Sequence, residues 1–217
     1  IAFSSRKSGE IYIIDHSTTI EEAQTSFGGN YNKGGRFLYR WGNPMIYNRG
    51  EAEDQKLYAP HAVNWVEGSP ANLLIFNNGY LRPTEGSQVP YSSIEEIYTP
   101  FTQNDGYYIE DNAPYGPEEY FWYYTDYESF SGIQSGAFRQ PNGNTLITDA
   151  NSSYIFEVAS DGEVVWEYNG GGSNMMIPRA QKYGYDYFDS SILLGDLTGD
   201  GIINVLDIIA TVNIVLA

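Results

Sequence analysis

The 217-residue chain contains no cysteine, so no disulfide braces its fold and no thiol serves as nucleophile or metal ligand. Positive charge is scarce: 11 lysines and arginines stand against 28 aspartates and glutamates, a formal charge of −17. A surface this poor in cations has nothing to neutralise phosphates, which excludes nucleic acid and an anionic membrane face as partners. Long apolar runs are also missing. A bilayer span takes roughly 18–20 apolar residues, and the longest candidate, Ile202 to Ala217, is broken by Asn204, Asp207 and Asn213. Histidine is confined to His16 and His61. Helical periodicity is nearly absent before residue 195, which disfavours any mainly helical architecture.

What the chain does have is short β-rich runs between turn residues, and three sets of them resemble one another. One set reads Asn144-Thr-Leu-Ile-Thr-Asp149, Tyr154-Ile-Phe-Glu-Val158 and Gly162-Glu-Val-Val-Trp-Glu-Tyr168. A second reads Asn72-Leu-Leu-Ile-Phe-Asn77, Ser93-Ile-Glu-Glu-Ile-Tyr98 and Tyr120-Phe-Trp-Tyr-Tyr124. The third begins Ala2-Phe-Ser-Ser-Arg6, continues Glu10-Ile-Tyr-Ile-Ile-Asp15 and ends Arg36-Phe-Leu-Tyr-Arg-Trp41. Each set supplies an apolar strand, a strand carrying an acidic residue and an outer strand with a tryptophan. Such a unit cannot bury both faces alone, whereas copies stacked around an axis can. The expected fold is therefore all-β: about three blades of a β-propeller. Preceding strands at 62–66 and 133–139 bring two of the blades to four strands. The first set lacks that innermost strand and the chain starts inside a β-rich run, so further blades are expected upstream. Polar insertions at 17–35 and 83–120 are expected as surface loops.

The ordered segments Phe3-Ser-Ser-Arg6, Leu38-Tyr-Arg-Trp-Gly-Asn43, His61, Asn72-Leu-Leu-Ile-Phe-Asn-Asn-Gly79, Ser135-Gly-Ala-Phe-Arg-Gln-Pro-Asn-Gly-Asn-Thr-Leu-Ile147 and Arg179-Ala-Gln-Lys-Tyr-Gly-Tyr-Asp-Tyr187 resemble bacterial arylsulfotransferase-type propellers, across residues 1 to about 188. The resemblance implies a six-bladed parent that moves a sulfuryl group from an aryl sulfate donor to a phenolic acceptor, without an organic cofactor. It implies His61 as the nucleophile and Arg6 as the sulfate-binding cation. A neutral imidazole can attack sulfur and hold the sulfuryl group covalently, and a guanidinium offers several donors to the sulfuryl oxygens. Two departures stand out. Members of that family carry Gln before and Asp after the nucleophile, whereas here Pro60 and Ala62 flank it. Proline removes a backbone donor and alanine removes an orienting carboxylate. A further histidine of the family falls upstream of Ile1. His16 reads as a turn or packing residue.

Residues 189–217 form a separate C-terminal element. Asp196-Leu-Thr-Gly-Asp-Gly-Ile-Ile-Asn-Val-Leu-Asp207 fits an EF-hand-type loop, with Asp196, Thr198, Asp200, the Ile202 carbonyl and Asp207 as ligands to a structural Ca²⁺. Asp in place of Glu at the twelfth position resembles the dockerin type I variant. One such repeat is present, and the following apolar helix implies a protein partner or a second repeat to cover it. Together these features imply a protein working outside the cytoplasm, extracellular or periplasmic. The alternative to sulfuryl transfer is a non-catalytic propeller that binds or scaffolds, anchored through the calcium repeat. A quinone-dependent dehydrogenase shares only the blades.

Overall fold

A computed structural model describes residues 1–84, 90–102, 106–127, 129–171, 175–184, 197–198 and 202–215. The chain separates into two compact units, Ile1–Gln181 and Lys182–Ala217. The boundary expected at residue 188 falls outside the described residues.

The first unit is mostly antiparallel β-structure. Strands β1 (Ala2–Ser5), β2 (Glu10–Ile14) and β3 (Phe37–Trp41) form a three-stranded sheet in that order. The middle sheet joins β4 (Pro60–Trp65), β5 (Asn72–Asn77), β6 (Ser93–Tyr98) and β9 (Trp122–Tyr124), while β7 (Phe101–Thr102) and β8 (Gly106–Tyr107) pair as a separate ribbon inside the 83–120 insertion. The third sheet runs β10 (Gly136–Arg139), β11 (Thr145–Asp149), β12 (Tyr154–Val158) and β13 (Val164–Asn169). The four antiparallel sheets agree with the all-β expectation. The insertion at 17–35 is not loop throughout. It contains the one-turn helix α1 (Ile20–Ala23), started by a capping box in which Thr19 accepts from the Glu22 amide and Glu22 accepts from the Thr19 amide.

Strand β5 explains how the sheets stack. Successive side chains on a strand point to opposite faces, and every residue of β5 is buried. Leu73 and Ile75 join Ile11, Ile13, Tyr39 and Trp41 in one core, between the first and middle sheets. Leu74 and Phe76 join Ala137, Ile147 and Phe156 in a second, between the middle and third sheets. A strand buried on both faces reads as a continuous apolar run, which is how Leu73 to Phe76 reads.

Buried carboxylates fasten the layers. In β6, Glu96 accepts from Asn72 Nδ2 at 2.6 Å and from the Arg139 guanidinium at 2.5 Å. Arg139 belongs to the third sheet, and its guanidinium also lies 4.4 Å over the ring of Trp122, the residue paired with Glu96 across β6 and β9. The first sheet has its own clip: Arg40 grips Glu10 with two bonds of 2.8 and 2.6 Å, and the Tyr12 hydroxyl donates to the same carboxylate. A bidentate, charge-assisted geometry is what makes a buried ion pair tolerable.

The second unit contains α2 (Val205–Val215). Asp207, in its first turn, accepts from the Thr198 amide and hydroxyl and from the Asn204 amide. Among the described residues no helix is long and apolar enough to cross a membrane.

Candidate functional site

His61 lies near the start of β4, an edge strand whose first residue is Pro60, a position where proline is tolerated. Pairing with β5 is regular at His61–Phe76, then shifts by one residue before Asn64–Leu74. Ala59 (φ 59°) and Ala62 (φ 51°) bracket His61 in the left-handed region, which a residue with a Cβ visits at a cost of about 1–2 kcal/mol. Such a bulge re-aims a side chain. Asn64 stabilises it by donating to the Ala62 carbonyl and, across to β10, to the Ala137 carbonyl, each at 2.9 Å.

The bulge delivers the imidazole to Asn78. His61 Nδ1 lies 2.7 Å from Asn78 Oδ1 and 3.2 Å from the Ala59 carbonyl. The orientation of the Asn78 amide is fixed independently, because its Nδ2 donates to the Ser131 carbonyl at 2.6 Å and the Gln134 carbonyl at 3.1 Å. Its oxygen must then face the ring. With two acceptors against Nδ1, the neutral form of the ring carries its proton there and has its lone pair on Nε2. Gly79 permits the sharp turn after Asn78: its φ is +73°, and a Cβ there would sit 2.0 Å from the Tyr91 carbonyl oxygen.

Arg6 follows β1, donates from Nη2 to the Gly132 carbonyl at 3.0 Å, and lies 5.0 Å over the Tyr80 ring. The structure therefore attaches both predicted site residues to one loop. Arg6 binds Gly132, and His61 reaches Ser131 and Gln134 through Asn78. That loop is rigidly held. The Ser131 amide donates to the Ser92 hydroxyl, the Ser135 hydroxyl donates to that of Ser131, and the Ala150 amide donates to Ser135. Ser92, Ser131, Ser135 and Asn78 are all buried. Gln134 and Ser135 again have positive φ, so strained backbone clusters on both sides of the imidazole.

Asn78 is the site residue that sequence reasoning missed. Its only sequence signal is the Asn-Asn-Gly that closes β5. Arg179 is a second omission: its stem passes about 3.3 Å from where a Cβ of Gly136 would sit, beside Ala62, and its guanidinium lies 5.5 Å from the Phe138 ring centre. His16 is exposed in the bend after β2 and takes no part. Asp149 closes a turn, accepting from the Asn151 and Ser152 amides.

Of the calcium ligands predicted, Asp196 and Asp200 lie outside the described residues. Thr198 and Asp207 are brought together, and hydrogen bonds from the Asn204 and Thr198 backbone hold the Asp207 carboxyl below the usual carboxylate range. The Ile202 carbonyl accepts from Asn204 Nδ2. Among the described residues no three metal-ligating side chains stand together.

No family model matches the chain, and no curated protein matches it.

Proposed function

We propose that the three sheets are blades of a β-propeller of arylsulfotransferase type, and that His61 carries a sulfuryl group from an aryl sulfate to a phenolic acceptor. The single observation that carries this reading is the Asn78 bond to Nδ1, which leaves Nε2 as a free nucleophile. Nε2 attacks sulfur, the bond from sulfur to the aryl oxygen breaks, and the departing phenolate takes a proton from solvent. In the second half the acceptor oxygen attacks the N-bound sulfur, the N–S bond breaks, and the phenol proton passes to solvent. Arg6 offers donors to the sulfuryl oxygens as their charge redistributes. Asn78 takes the place of the orienting carboxylate that Ala62 lacks, holding the ring by its Nδ1 bond. The test is a reaction of the full chain with 4-nitrophenyl sulfate. A sulfonated His61 peptide by mass spectrometry is expected, absent from His61→Ala. An unmodified His61, or turnover unchanged in His61→Ala, overturns it.

We further propose that residues 189–217 are a dockerin-type calcium repeat, with Asp196, Thr198, Asp200, the Ile202 carbonyl and Asp207 as ligands. Ca²⁺ would neutralise the loop carboxylates and clamp the start of α2. The contact of Thr198 with Asp207, positions three and twelve of the loop, fits this assignment. Calorimetry with Ca²⁺ is expected to give one site, lost in Asp200→Ala; equal binding by that variant would refute it. Leu206, Ile208 and Ile209 are exposed on α2, which favours a protein partner for this repeat; a calcium repeat of this kind would work outside the cytoplasm. The same exposure, with Pro60 and Ala62 beside His61, supports the second reading, a non-catalytic scaffold attached through the calcium repeat.

A further inference from the structure

A cleft of about 1190 Å³ opens between the 41–58 segment and the 100–120 insertion. Its walls include neither Arg6, His61, Asn78 nor Arg179, so it is separate from the site above. Its chemistry also differs.

Five tyrosines face it: Tyr47, Tyr58, Tyr108, Tyr115 and Tyr120. Tyrosine presents a flat apolar ring with a polar tip, which suits a ligand having both C–H faces and hydroxyls. Burial raises the phenols of Tyr47, Tyr58, Tyr115 and Tyr120 above their ordinary range, so each stays a neutral O–H at physiological pH. The insertion is tied to the opposite side at the base of the cleft. Tyr39 and Trp41 donate to the Gly116 and Pro117 carbonyls, and the Tyr115 amide donates to the Tyr47 hydroxyl.

Charge decides what enters. Glu53, Asp54, Glu110 and Glu118 line the cleft against Lys56 and Arg82. Both cations are already engaged. Lys56 donates to the Glu118 carbonyl at 2.8 Å and sits over Tyr120, while Arg82 stacks 4.4 Å over Tyr91 and donates to Ser93. Glu53, Glu110 and Glu118 are exposed, and carboxylates accept two hydroxyl bonds readily. An anion, aryl sulfate included, meets net negative charge here. The volume exceeds what one small ring needs and suits several linked units.

We propose that this tyrosine-lined cleft binds a neutral oligosaccharide, stacking sugar faces on Tyr108 and Tyr115 and taking sugar hydroxyls on Glu53, Glu110 and Glu118. This goes beyond sulfuryl transfer and does not depend on it.

Isothermal titration of the full chain with cellohexaose, maltohexaose and a sulfated carrageenan hexasaccharide provides the test. At least one neutral hexasaccharide is expected to bind at millimolar concentration or tighter, and the sulfated one not to bind or compete. Tyr108 is 58% exposed, so Tyr108→Ala leaves the fold intact and is expected to weaken binding about tenfold. Glu53→Gln, also on the exposed rim, is expected to weaken it less, and His61→Ala not at all. No binding by either neutral probe overturns the proposal, as does affinity unchanged in Tyr108→Ala or tighter binding of the sulfated probe. Loss of binding in His61→Ala would place the sugar at the other site and also overturn it.

Discussion

The middle and third sheets carry the same local pattern and meet different fates. In each, an asparagine at the start of the second strand holds a glutamate on the third: Asn72 with Glu96, and Asn144 with Glu157 at 2.7 Å. In each, that glutamate pairs across the sheet with a tryptophan, Trp122 or Trp166. Over Trp122 lies Arg139, delivered by the neighbouring sheet, whereas Trp166 is 50% exposed and every residue of β13 is exposed. A repeat thus fixes which residues stand opposite one another. Burial is conferred by whatever packs next to it. A second contrast is internal to the faces: the middle sheet buries Glu95 at the pairing position where the third sheet places Phe156.

Five substitutions sharpen this comparison. Arg139→Met should have the largest effect, about 3–5 kcal/mol of stability, because it strands Glu96 as a buried charge. Chemical denaturation measures it, and a loss under 1 kcal/mol would mean that water replaces the guanidinium. Asn72→Ala is expected to cost about 1–3 kcal/mol by removing a donor from the same carboxylate. Asn144→Ala should cost less, since Asn142 also donates to Glu157. Equal losses would show that the two positions are not distinguished by their surroundings.

Glu95 supplies a pH test. Burial pushes its carboxyl up, and the Asn77, Arg82 and Ser93 side chains pull it back without cancelling the rise. A carboxyl whose folded value exceeds its unfolded value binds more protons when folded. Stability therefore falls as pH rises from the ordinary glutamate range through the raised value, and the penalty is complete above it. Glu95→Gln is expected to flatten that slope in denaturation midpoints measured across acidic to neutral pH; an unchanged slope would assign it to another group. The smallest effect belongs to the third sheet's outer strand. Val165→Thr should change stability by no more than about 0.5 kcal/mol, and a larger loss would reveal that β13 is covered in solution.

Much of this fold was legible beforehand. The run Asn72 to Asn77 read as an apolar strand, which the structure buries on both faces, and the repeated acidic and tryptophan positions marked the strands beside it. The innermost strands were placed less accurately: β4 begins at Pro60 rather than Ala62, because the bulge after His61 disrupts the alternation that pattern-reading follows. Helix α1 was missed because one helical turn is too short to show a period, although Thr19 and Glu22 formed its capping box in plain view. At the site, His61 and Arg6 were legible as residue types. Asn78 was not, since an asparagine at a strand end is usually a turn former and its selection as an imidazole partner needs a second strand.

The sequence by itself determined which side chains alternate along each strand, because alternation follows from local spacing along a pleated strand. Only the tertiary structure decided which imidazole nitrogen carries the proton and which tryptophan receives a cation. Both depend on groups brought from another strand or another sheet: Asn78 across the middle sheet to His61, and Arg139 from the third sheet to Trp122.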